Sequence, residues 1–118
     1  MAVDAGLVAW IGEALEPLGV LTRRPMMGGM TFYLDGQVFA IAADDTLWFK
    51  SDAVSDPEWD AAGCARFSFE MKDGSVATMN YRRAPDDVYD DADEMRRWAR
   101  LGLEAGLRAP KKAKKRAK

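Results

Sequence analysis

The dipeptide Asp35-Gly36 separates two runs, Met30-Thr31-Phe32-Tyr33-Leu34 and Gln37-Val38-Phe39-Ala40-Ile41-Ala42-Ala43, that are apolar, aromatic and β-branched. A two-residue connection of this kind is a strong hairpin signal. A type I′ turn needs positive φ at both central positions, and Asp-Gly reaches it at little steric cost. The chain is thereby committed to antiparallel neighbours whose register the turn sets. Asp44-Asp45 repeats the signal more weakly ahead of a further strand, Thr46–Lys50. Its Leu47, Trp48 and Phe49 run without alternation, as expected of a strand buried on both faces or packed beside a helix. Residues 20–24 lead into this unit, and Pro25 marks an edge or a break.

The flanking segments follow other periods. In residues 3–18, Leu7, Val8, Ile11, Leu15 and Leu18 fall on one helical face, widened by Trp10 and Ala14. Asp4 is the expected N-cap, and Pro17 with Gly19 ends the helix. Ser55 is expected to cap a short helix over Asp56-Pro57-Glu58, with Trp59 and Ala62 inward and Gly63 as the stop. Residues 65–71 alternate as a strand, Lys72-Asp73-Gly74 forms a hairpin loop, and residues 76–82 return. After Ala84-Pro85, residues 86–108 read as mostly helical, acid-rich at the start and arginine-rich later, a polarity that complements the helix dipole. Met95, Ala99, Gly102, Leu103 and Gly106 form a face of small residues that permits close packing. These readings predict an α+β domain: an antiparallel sheet of about five to six strands, with the N-terminal and C-terminal helices packed on one face. The folded domain is expected over residues 1–109, followed by a basic flexible tail over 110–118.

Composition narrows the chemistry. The 118 residues contain no histidine and one cysteine, Cys64. Histidine-based triads, HExxH zinc proteases and an all-cysteine zinc site within one chain are excluded. Cys64 reads as a small half-buried apolar residue. No catalytic set is visible, so no enzyme activity and no cofactor are expected. No apolar run approaches a membrane span and no secretory signal is seen, so a cytoplasmic location is expected.

The net charge of −2 conceals an asymmetry. Residues 111–118 carry Lys111, Lys112, Lys114, Lys115, Arg116 and Lys118; the other 11 basic residues face 19 acidic ones, leaving the body near −8. The six tail cations are candidate phosphate contacts that carry no base readout, so this alternative is a weak, non-specific nucleic-acid binder. A second candidate is an anion site gathering Arg23, Arg24, Gly28, Gly29, Arg82 and Arg83. The competing reading is that the glycine pair shapes a bend in the sheet and the arginine pairs form a solvated face. Metal binding by the acids of residues 86–94 competes with helix capping, which explains them without a metal. The aromatics Phe32, Tyr33, Trp48, Trp59, Phe67, Phe69 and Tyr81 are assigned to core packing, because the strands interleave few basic residues with them.

Taken together, Arg23-Arg24-Pro25-Met26-Met27-Gly28-Gly29, Phe32-Tyr33-Leu34-Asp35-Gly36, Phe39-Ala40 and Asp44-Asp45-Thr46-Leu47-Trp48-Phe49-Lys50 resemble the N-terminal domain of the TfoX/Sxy family. Phe67-Ser68-Phe69, the segment from Met79 to Pro85, and the helix from Asp93 to Ala99 extend the resemblance to about residues 4–107. Met27 stands where the family often has phenylalanine, and Trp48-Phe49 where it has tyrosine-leucine. The resemblance implies a compact α+β domain. It also implies a stand-alone, non-enzymatic regulatory or adaptor protein, similar to bacterial regulators of DNA competence that work with a cyclic-AMP receptor type of activator. A transcription-related protein partner is therefore expected, and no membrane contact. A homodimer is a further expectation, through the small-residue helix face or an unpaired strand edge.

Overall fold

Asp35 and Gly36 both take positive φ, 49° and 83°, as the type I′ turn requires. The computed structural model of the protein describes residues 5–26, 29–43 and 46–109. The turn joins β2 (Gly29–Leu34) to β3 (Gln37–Ala43). On one side lies β1 (Leu21–Met26); on the other, β4 (Thr46–Lys50), β6 (Val76–Arg83) and β5 (Arg66–Glu70) complete a six-stranded sheet of order β1-β2-β3-β4-β6-β5. Every pairing is antiparallel. Pro25 sits on the edge strand β1, where its missing N–H costs no ladder bond. Asp44-Asp45, Asp4, Gly28 and residues 110–118 lie outside the described residues.

The helices are α1 (Ala5–Leu15) with a 3₁₀ turn at Glu16–Leu18, α2 (Asp56–Ala61), a 3₁₀ turn at Asp86–Tyr89, and α3 (Ala92–Arg108). Leu7, Ile11 and Leu15 of α1, Trp59 of α2, Val88, and Met95, Trp98 and Ala99 of α3 share one buried cluster with Phe32, Leu34, Ala40, Ala42, Leu47 and Phe49. Strand residues facing one another across the ladder lie on one face of the sheet. The pairs Phe32↔Ala40, Ala40↔Phe49 and Ala42↔Leu47 therefore place the helices on a single face. Trp59 is fully buried and stacks on Phe49 at 5.8 Å between ring centroids, with Trp98 at 4.7 Å on its other side. Rings of this size dominate core energetics.

Two local expectations, at Ser55 and at Ala62, need correction. Residues 86–108 are mostly helical, as the sequence predicts, in two pieces, the 3₁₀ turn and α3. Asp90 has φ −139°, and Asp91 caps α3 by accepting from the N–H groups of Asp93 and Glu94. Part of the acid cluster thus serves a helix terminus. Ser55 does not cap α2 through its side chain. Its Oγ accepts from the Asp52 N–H at 3.1 Å, while Asp52 Oδ1 accepts from the Ser55 N–H at 3.0 Å, a reciprocal turn one step earlier. Ala62 is exposed, because α2 has already ended, and Gly63 leaves the helix with φ 74°. The small-residue face of α3 is consumed by internal packing. A Cβ on Gly102 would lie 2.7 Å from the Phe39 carbonyl oxygen, and one on Gly106 2.5 Å from that of Val38. That face offers nothing to a second copy.

Candidate functional site

Three places on the structure concentrate polar or aromatic groups. The first is internal. Arg82 on β6 faces α2 and is 5% exposed. Its guanidinium meets Asp60 at 2.9 Å, Asp56 at 3.2 Å and the Cys64 carbonyl at 2.8 Å. Arg66 on β5 meets the same Asp56 at 3.1 Å and donates to Asn80 Oδ1 at 3.0 Å. The cluster ties α2 and the following loop to the outer strands. Burial raises the Cys64 thiol above its usual range, with Arg82 opposing weakly. A neutral thiol beside a guanidinium whose two terminal nitrogens are held by carboxylates and a carbonyl is a structural arrangement, not a nucleophile.

The second is a cleft of about 520 Å³ between the ends of β3 and β4 and the C-terminal turn of α3, lined by Gln37, Lys50, Ser51, Asp52, Asn80 and Arg108 among others. Arg108 spans it, donating to both carboxylate oxygens of Asp52 at 2.7 and 2.9 Å. This two-point bond holds the Asp52 carboxyl down at about 2. The Ser51 hydroxyl is buried and has no hydrogen-bond partner among the described residues.

The third is the face of the sheet turned away from the helices. The pairs Arg24↔Thr31, Thr31↔Ile41, Ile41↔Trp48 and Trp48↔Arg83 run across five strands on that face. Tyr33, Lys50, Tyr81, Met79, Phe69 and Phe67 share it by the two-residue alternation of their strands. Phe67 meets Trp48 edge-on at 4.9 Å and Phe69 at 6.2 Å. The Lys50 ammonium lies 5.2 Å from the Tyr81 ring centroid. Burial raises the Tyr81 hydroxyl's pKa, and neighbouring Tyr33 adds to the shift. Ile41 and Tyr81 are buried by this layer, yet neither belongs to the cluster beneath the helices. At the outer end, the β5–β6 hairpin leaves Phe69, Met71, Val76 and Met79 exposed by 37–69%.

The sequence-predicted anion site is not gathered. Arg23 and Arg24 lie on the edge strand β1, Arg82 and Arg83 on β6, with three strands between them. Arg82 is spent on Asp56 and Asp60, and Arg83 faces away from it across the sheet. Gly29 takes the role of a close backbone approach, since a Cβ there would lie 2.2 Å from the Ala42 carbonyl oxygen. The sequence assigns all seven aromatics to core packing; the register divides them, with Phe32 and Trp59 beneath the helices and Tyr33, Trp48, Phe67, Phe69 and Tyr81 on the other face. The strict alternation of residues 65–71 and 76–82 marks two different faces, and the register decides which one meets the helices. The tail cations Lys111, Lys112, Lys114, Lys115, Arg116 and Lys118 lie outside the described residues. No helix among the described residues is long and apolar enough to cross a membrane.

Residues 13–106 match the TfoX N-terminal domain family. The chain is also 28% identical over 67 residues to the DNA transformation protein TfoX1 of Aliivibrio fischeri. That alignment covers 57% of this chain and 32% of the relative, so the chain spans about a third of the relative's length.

Proposed function

The chain belongs to the TfoX N-terminal domain family, and from that premise we propose that it is a regulatory adaptor that works through protein contacts rather than catalysis. The observation that carries this reading is the β5–β6 hairpin. Val76 is 69% exposed, Met71 45% and Phe69 41%, and β5 ends the sheet with an edge that no other described strand pairs. Side chains of this kind on an open edge favour a partner that adds a strand and covers the apolar residues. The likeness to a DNA transformation protein supports a role connected with DNA transformation, and the family resemblance suggests transcription of competence genes with an activator of the cyclic-AMP receptor type as the partner.

The test is titration calorimetry between the full chain and that activator from the same cell. Saturable binding by the wild-type chain, weakened tenfold or more by Phe69→Asp with Val76→Asp, is expected. Absence of heat at all concentrations, or equal binding by the double variant, overturns the reading.

A further inference from the structure

We propose that the helix-free face of the sheet binds single-stranded nucleic acid, independently of the hairpin contact above. The body of the chain is acidic, yet among the described residues no carboxylate lies on this face. The residues that the register places on β1 to β6 there include Arg24, Lys50 and Arg83 and no aspartate or glutamate among the described residues. Among the described residues, no carboxylate pairs with Arg24 or Arg83. Acids and their arginine partners lie instead on the helix side, where Asp56, Asp60, Asp93 and Glu94 hold Arg82, Arg66, Arg96 and Arg97. A protein with an excess of negative charge has thus one broad surface that attracts an anion.

The shape of that surface selects among anions. Arg24 and Arg83 stand four strand spacings apart, about 19 Å at the usual separation. The ligand is therefore an extended polyanion rather than a small ion. Tyr33, Trp48 and Phe67 lie between or beside the cations, and bases that are not already paired stack on such rings. An acidic peptide would use the cations and leave the rings idle. A duplex keeps its bases stacked internally, and no helix or ribbon on this face projects to enter a groove. Lys50, held against the Tyr81 ring, and Arg83, across from Trp48, place positive charge beside the aromatic surface.

The tail's six cations would bind nucleic acid on their own, so the test separates them. Fluorescence anisotropy is measured on the full chain with Lys111, Lys112, Lys114, Lys115, Arg116 and Lys118 all changed to glutamine. The probes are labelled single-stranded DNA and RNA of about 12 nucleotides and mixed sequence, a duplex of the same sequence, and a poly-glutamate peptide. The tail-neutral chain is expected to bind a single strand at least fivefold more tightly than the duplex or the peptide. The log of its affinity falls with log salt at a slope near −2, since three cations at about 0.7 each are engaged. Arg24→Glu with Arg83→Glu lowers affinity tenfold or more, and Tyr33→Ala lowers it about fivefold or more. Circular dichroism establishes that each variant melts as the parent does; for a variant that does not, Arg24→Gln alone, on the exposed edge strand, replaces it and is expected to lower both affinity and slope. Preference for DNA over RNA, or the reverse, identifies the ligand without touching the proposal. No binding by the tail-neutral chain, unchanged binding by the charge-reversed chain, or tighter binding of duplex or peptide overturns it.

Discussion

The two faces of the sheet are built from the same strands and by opposite rules. Beneath the helices, alternate residues of β2, β3 and β4 are fully buried and glycines admit α3 to within contact of the β3 backbone. Charge enters that side only in pairs, as at Arg82 with Asp56 and Asp60. On the other face the same strands carry large rings together with Arg24 and Arg83, which no carboxylate pairs among the described residues. Burial of apolar area is what stabilises a domain of this size. The covered face therefore holds the fold, and the other face is free to be shaped by contacts outside it.

Substitutions that respect or violate this division should differ sharply. The largest effect is expected for Trp59→Ala on the covered side. Removing a fully buried indole from between Phe49 and Trp98 should cost about 3–5 kcal/mol in chemical denaturation. Arg82→Met should follow, at about 2–3 kcal/mol, since it removes the bonds to Asp56 and Asp60 and leaves the Cys64 carbonyl without its donor, although Asp56 keeps Arg66 and Asp60 faces solvent. Gly102→Ala comes next, at about 1–3 kcal/mol, because its methyl would press on the Phe39 carbonyl oxygen. On the other face, Phe69→Ser should alter stability by no more than about 0.5 kcal/mol. A large loss there would mean that the outer layer also holds the fold, and the contrast would fail.

A smaller effect follows from the strut between the two ends of the helix side. Asp52 sits at about 2 in the folded chain, below its ordinary 3.8, because Arg108 bonds both its oxygens. A depressed carboxylate contributes stability that is fully present above the unfolded value and is lost as pH falls through the folded one. Asp52→Asn should lower the melting temperature at pH 7 by roughly a few degrees, given the partial exposure of the pair. Between pH 4 and 2 the difference from wild type should shrink. A difference that stays constant over that window would show that the bond is not what Asp52 supplies.

Much of the covered side was legible in the sequence. The Asp35-Gly36 turn, the bounds of β3 and β4 and the helical stripe of Leu7, Ile11 and Leu15 follow from local chemistry that tertiary contacts did not override. The order of the outer strands was not legible, because β6 pairs with β4 across a helix and a whole strand, and that closure depends on long-range packing. The split of the aromatics was hidden for the same reason: a strand's alternation says that two faces differ, and only the register says which one meets the helices. The arginine pairs at positions 23–24 and 82–83 show how adjacency misleads, since neighbours along a strand point to opposite faces. Arg83 is on the open face because Arg82 is not.

The division between the faces is tested most directly by amide chemical-shift mapping of the full, tail-neutral chain during titration with the single-stranded oligonucleotide. The account predicts shifts that cluster at Arg24, Tyr33, Trp48, Lys50, Phe67, Tyr81 and Arg83, with α1 and α3 unmoved. Shifts centred on α1 or α3, or none on the sheet, would contradict it.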